Sequence, residues 1–280
     1  MPASLRFLSA KPRIAVNVSG SGEAVIFLHG VGTTRSSWDA QLAHFHHTHF
    51  AAAWDARGYG DSDDYDGDLN FAADFSGDLA NVLDELNIQT AHIVGLSMGG
   101  FIAQCFYFAH PKRVATLVLA HTFPSFRALG DTFVDQFVAT RFQPLLDGAT
   151  PAEAADVTVK GLLGPQASAD ARQHFHASLC ALRRNSYIKA LRGLLEQDAP
   201  GALEDIKVPT LLLTGDHDRL APPPVCQDMA GRIASSEITI IAECGHLSNI
   251  ECPDEFNRIV HGFVSRHGGI ATRRTGSAIS

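Results

Sequence analysis

A serine placed where a chain turns abruptly from strand to helix is a candidate nucleophile. Gly95-Leu96-Ser97-Met98-Gly99 meets that description, with Gly100 following, an apolar run from Ala91 to Val94 before it and a helical pattern starting near Met98. In a G-x-S-x-G elbow the turn is so tight that flanking side chains would collide, so glycine stands on both flanks and the serine projects beyond the sheet edge. The following helix aims its N-terminal amides at the same point, and the Met98 N–H becomes a donor for an oxyanion formed beside Ser97. A second donor is expected from the loop His29-Gly30-Val31-Gly32 after the apolar run Ala24 to Leu28, and the Val31 N–H is the candidate.

A serine hydroxyl is a poor nucleophile near neutral pH, so a histidine must take its proton and a carboxylate must fix that histidine's tautomer. Among fourteen histidines, His246 stands out, because Glu243-Cys244-Gly245-His246 is a loop directly after the strand pattern Glu237 to Ile241. The acid is expected in Gly215-Asp216-His217-Asp218-Arg219, after the buried-strand run Leu211 to Thr214. Asp218 is preferred over Asp216, which is better placed to cap the turn. Ser97, Asp218 and His246 then follow the chain order serine, acid, histidine.

Other suggestive clusters have plainer readings. His44, His46, His47 and His49 span a helix end and a loop without acidic ligands at regular spacing, so no metal is expected there. The run Asp61, Asp63, Asp64, Asp66 and Asp68 fails the calcium-loop template, with Tyr65 at the fifth position and no glutamate at the twelfth. The glycines of Asp55-Ala56-Arg57-Gly58-Tyr59-Gly60-Asp61-Ser62 suggest tight turns, since no helix follows to cradle a phosphate. Five cysteines without a C-x-x-C pair read as reduced packing residues, with Cys244 open to oxidation beside His246. No cofactor motif remains.

These residues need a scaffold whose strand ends converge. Short apolar runs without alternation, at Arg13 to Val18, Ala24 to Leu28, Phe50 to Trp54, Ala91 to Gly95, Val114 to Ala120, Thr210 to Thr214 and Glu237 to Ile241, predict strands buried on both faces. Helical patterns at Ser36 to Phe45, Phe71 to Leu86, Met98 to Ala109, Pro222 to Ile233 and Pro253 to His267 supply crossovers, giving an α/β fold with a mostly parallel sheet between helical layers. From about Phe123 to Leu203 the rhythm becomes purely helical, over Thr132 to Phe142, Ala152 to Leu163 and Ala169 to Leu194. We expect a core of residues 1–122 and 203–267, a helical cap of 123–202 over a pocket at the strand ends, and a frayed Gly/Ser/Thr-rich tail of 268–280.

Composition narrows the partners. A formal net charge of −8, without a basic cluster before the last residues, argues against nucleic acid. No apolar run is long enough to span a membrane, and Met1 to Arg6 carries no secretory leader, so a cytoplasmic protein acting on a small molecule is expected, with self-association left open.

Taken in order, His29-Gly30, the Asp55 to Ser62 segment, Gly95 to Gly100, Gly215 to Asp218 and Gly245-His246 resemble the α/β-hydrolase superfamily from Val25 to Val264. Gly245-His246-Leu247-Ser248-Asn249-Ile250-Glu251-Cys252-Pro253 with Phe256, and Gly32-Thr33 leading to Trp38, are similar to 3-oxoadipate enol-lactonases. That resemblance implies hydrolysis of an enol-lactone or related ester in aromatic-compound catabolism, with His29, Gly30, Gly32 and Trp38 bordering the substrate. His29 is also expected to shape its own turn. A carboxylate on the substrate would need a cation, with Arg127, Arg141, Arg183 and Arg184 as candidates. Carbon–carbon bond hydrolases of ring-cleavage products are close relatives, but they often carry tryptophan where this chain has Leu247 and a longer oxyanion loop. A slow-turnover ligand receptor and a peroxidase side activity are further alternatives on the same triad.

Overall fold

The computed structural model describes residues 3–271. Among these residues, eight strands form one sheet: β1 (Ser4–Phe7), β2 (Ala15–Gly20), β3 (Ala24–Leu28), β4 (Phe50–Trp54), β5 (Ala91–Leu96), β6 (Val114–Ala120), β7 (Thr210–Gly215) and β8 (Ser236–Ile241). Their spatial order is β1-β2-β4-β3-β5-β6-β7-β8. The β1–β2 and β2–β4 pairs are antiparallel, and all others are parallel. The loops that follow β3, β5, β6, β7 and β8 therefore leave from one edge of the sheet, which is where such folds assemble sites.

Each buried strand feeds two apolar layers by alternation. Ile26 and Leu28 face one cluster while Val25 and Phe27 face the other, and Trp54 and Ala53 divide in the same way. On the first face lie α2 (Ser76–Glu85), α3 (Met98–Ala109) and α9 (Pro223–Arg232); on the second lie α1 (Asp39–Phe45) and α11 (Pro253–Arg266). Between β6 and β7 there is no strand. This segment holds α4 (Asp131–Phe137), α5 (Gln143–Leu146), α6 (Ala155–Leu162), α7 (Ala169–Cys180) and α8 (Arg184–Glu196). The single helix expected from Ala169 to Leu194 is two, because the chain leaves the helical hydrogen-bonding pattern at 181–183. The predicted Glu237 to Ile241 strand is present, but at the sheet edge, with Ile238 and Ile240 exposed. Arg273-Arg274 and the rest of the expected tail beyond residue 271 lie outside the described residues.

Burial of imidazoles makes the fold pH-sensitive. His92 on β5 bonds Thr116 Oγ1 through Nδ1 at 2.9 Å, and burial, then repulsion from His49 and His267, pushes its pKa down to about 4. Burial and the neighbouring His261 lower His49 and His44 in the same sense. Unfolded imidazoles titrate near about 6.5, so this stability is fully present above that pH and is lost as pH falls through about 4. Urea midpoints measured between about pH 7.5 and 4.5 should fall on the acid side, and less steeply in His92→Gln. A flat profile in the unaltered protein would contradict this assignment.

Candidate active site

Ser97 occupies the junction of β5 and α3 at φ 55° and ψ −116°, a conformation few non-glycine residues adopt. Its flanking glycines are required by close approach. A Cβ on Gly95 would lie 2.2 Å from the Gly99 carbonyl oxygen, and one on Gly99 would lie 2.1 Å from the Leu28 oxygen. The Ser97 N–H donates to the Ala120 oxygen at 2.9 Å, tying the elbow to the end of β6. Met98 opens α3, so its N–H has no intrahelical acceptor.

Asp218 and His246 stand past the ends of β7 and β8 and meet there. His246 Nδ1 lies 3.0 and 2.8 Å from the two Asp218 oxygens. Asp218 Oδ1 also accepts from the Leu220 and Ala221 N–H groups at 2.8 and 3.0 Å. Burial alone would raise the pKa of Asp218, but the attraction of the His246 ring and hydrogen bonds from His121 and His246 hold it well below the usual carboxylate range. It is therefore an anion that accepts, so the Nδ1 of His246 carries the proton and Nε2 presents its lone pair. Among the described residues that Nε2 has no hydrogen-bond partner. Asp216 is exposed and accepts the Cys244 N–H at 3.2 Å, a turn-closing role.

Ser97 and His246 line one pocket, whose walls come from both the strand-end loops and the helical segment. Gly30, Val31, Gly32 and Leu247 contribute from the loops; Phe126, Phe137, Arg141, Leu162, Phe175 and Tyr187 contribute from the helices. Glu251 fastens the two together, accepting from the Gly164, Gly245 and Leu247 N–H groups at 2.7, 3.0 and 2.9 Å.

Two residues expected to border the substrate are not among those that line this pocket. Trp38 is fully buried in the second apolar layer, its ring 5.0 Å from Phe27 and 5.8 Å from Phe256. His29 spends Nδ1 on the Gly30 oxygen at 2.8 Å and accepts the Ala56 N–H on Nε2 at 3.1 Å, so it shapes the turn instead. Of the four arginines, Arg183 bonds the Gly60 and Ser62 oxygens, Arg184 bonds the Leu145 and Ala149 oxygens, and Arg127 is exposed. Arg141 alone of these reaches the pocket, beside the Phe137 ring at 5.9 Å, without a hydrogen bond or ion pair among the described residues.

His121 was not foreseen. It follows β6 and places Nδ1 2.9 Å from Asp218 Oδ2. His121, Asp218 and His246 bring their ligand-type atoms within 4.8 Å of one another. A metal there would have to displace the protons with which both rings bond the carboxylate. The cysteines are unpaired; Cys180 is exposed, against the packing role expected, and Cys244 and Cys252 hold their sulfurs 3.3 Å apart.

Comparison with known proteins agrees with this architecture. The alpha/beta hydrolase family model matches residues 25–259. A 3-oxoadipate enol-lactonase from Acinetobacter baylyi is 27% identical, over 90% of this chain and 94% of its own length. A 2-hydroxy-6-oxononadienedioate/2-hydroxy-6-oxononatrienedioate hydrolase from Paraburkholderia xenovorans is 31% identical over 89% of each chain. The crystal structure of a hydrolase from Pseudomonas aeruginosa superposes with a TM-score of 0.81 at 27% identity, covering 93% of this chain and 98% of that one. With its match running from β3 into α11, this chain belongs to the alpha/beta hydrolase family.

Proposed function

We propose that this protein hydrolyses an ester or lactone of enol-lactone type through an acyl-enzyme on Ser97. The observation that carries the reading is the His246 imidazole, held on Asp218 through Nδ1 with Nε2 left unpartnered, in a residue that lines the same pocket as Ser97. As Ser97 Oγ attacks the carbonyl carbon, Nε2 takes its proton, and the Val31 and Met98 N–H groups receive the oxyanion. Collapse of the tetrahedral adduct breaks the acyl carbon–oxygen bond, and the proton passes from His246 to the departing enol or alcohol oxygen. Water, deprotonated by His246, then releases the acid and restores Ser97. Residues 123–202 serve as the cap that encloses this chemistry, over a core of 1–122 and 203–267, and the setting is cytoplasmic aromatic catabolism.

Arg141 favours a substrate that carries a carboxylate. A guanidinium among Phe137, Leu162 and Tyr187 loses hydration without gaining a hydrogen bond or ion pair among the described residues, a cost that an anionic ligand would offset. The names of both kinds of relative, an oxoadipate enol-lactonase and a dienedioate hydrolase, are those of enzymes acting on such acids. The second name keeps cleavage of a carbon–carbon bond as the competing reading, against which Leu247 counts.

Assays of p-nitrophenyl esters, neutral lactones, carboxylated enol-lactones and ring-cleavage dienoates test both points. The carboxylated lactones should turn over best. Arg141→Ala should raise their KM about 10–100-fold while leaving neutral esters within about threefold. Preference for the dienoates over every lactone and ester would reject the lactonase reading.

A further inference from the structure

We infer that His121 is a positioning residue for this chemistry: it locks Asp218 to the His246 loop and draws part of the carboxylate's charge away from His246. The inference rests on the Ser97 mechanism proposed above.

The geometry joins three strand ends through one imidazole. His121 adopts φ 51°, a left-handed conformation uncommon for a residue with a side chain, and its N–H donates to the Leu213 oxygen at 2.7 Å. Its side chain has no exposed surface. Nδ1 meets Asp218 Oδ2 at 2.9 Å past β7, and Nε2 meets Ser248 Oγ at 2.6 Å, two residues beyond His246. Backbone strain retained at such a junction is consistent with a demand placed on this side chain by the site.

The protons follow from the acceptor. Asp218 is ionised, so His121 Nδ1 must donate, and burial disfavours a second proton on the ring. The neutral ring's Nε2 then accepts from the Ser248 hydroxyl, leaving both ring nitrogens of His121 satisfied. The groups facing it are Asp218 from the β7 end, His246 and Ser248 from the β8 end, and the Glu251 carboxylate from α10 (Ser248–Glu251). Once His246 takes the Ser97 proton, two cationic imidazoles would flank one carboxylate, so His121 stays neutral throughout. Its N–H competes with His246 for Oδ2. A carboxylate shared between two donors stabilises imidazolium less than an undivided one, which sets the acid limb of activity at lower pH.

The test is kcat/KM against pH for p-nitrophenyl acetate, with thermal stability measured alongside, in the full chain carrying His121→Ala, His121→Asn or Ser248→Ala. His121→Ala should lower kcat about 10–100-fold with KM nearly unchanged, and shift the acid limb upward by about half a pH unit or more. Asparagine tolerates the left-handed backbone and returns one N–H to Asp218, so His121→Asn should bring the limb back toward its original position. Ser248→Ala keeps that donor but weakens it, and should move the limb the same way by less. An acid limb unmoved in all three variants, with or without lost stability, makes His121 an ordinary core residue and overturns the inference. Failure of the unaltered protein to turn over through Ser97 overturns the underlying mechanism, and this inference with it.

Discussion

Asp218→Asn should reduce kcat on a p-nitrophenyl ester by about 10⁴-fold with little change in KM, whereas Asp216→Asn should stay within about twofold. The difference follows from the donors around each carboxylate. Asp218 is fully enclosed by donors: the Leu220 and Ala221 N–H groups, the Thr214 hydroxyl, and Nδ1–H of both His121 and His246. An asparagine offers one acceptor oxygen where two are needed, and its amide would face an imidazole N–H. His246 could then relieve the conflict only by moving its proton to Nε2, which removes the lone pair that must accept the Ser97 proton. Asp216 accepts one part-buried hydrogen bond from the Cys244 N–H, which an asparagine oxygen can still accept. Comparable losses in the two variants, at equal stability, would move the acid's role away from Asp218.

The elements that position this site were legible where burial on both faces leaves an unbroken apolar run. β3, β4, β6 and α3 begin and end at the predicted residues. β1 was not, because all four of its residues are exposed at the sheet edge and leave no buried run to read. Ser97 and His246 announced themselves through glycines whose Cβ atoms would strike backbone: Gly99 against Leu28, and Gly245 against the Leu162 oxygen at 2.4 Å. Trp38 misled, since its place after the oxyanion loop says nothing about which way a 3₁₀ turn points its ring, and Phe27 and Phe256 claim it for the core. His121 was missed although a signal existed. It is the first polar side chain past the run Val114 to Ala120, the same place relative to its strand that His29 holds after β3. What the sequence could not reveal is that β6 lies beside β7, so that this imidazole arrives at Asp218 and not at solvent.

The second large effect concerns the nucleophile. Ser97→Ala preserves the elbow, whose shape is set by Gly95, Gly99 and the Ser97 backbone, while deleting the single atom the mechanism needs. Losses of about 10⁵–10⁶-fold in kcat are expected, the residue of activity coming from the oxyanion donors and substrate binding alone. Thermal stability should change little, because the side chain makes no hydrogen bond to another residue among those described. The most direct measurement is therefore reaction with a fluorophosphonate probe, read by mass spectrometry of the adduct peptide, in parallel with ester hydrolysis by the unaltered protein and by Ser97→Ala. The account predicts one adduct, on Ser97, forming as activity disappears, and in the folded variant no adduct and turnover lowered by about 10⁵–10⁶-fold. A folded Ser97→Ala protein that still hydrolyses the ester at a rate near that of the unaltered one, or an adduct on a different residue that abolishes activity, would contradict it.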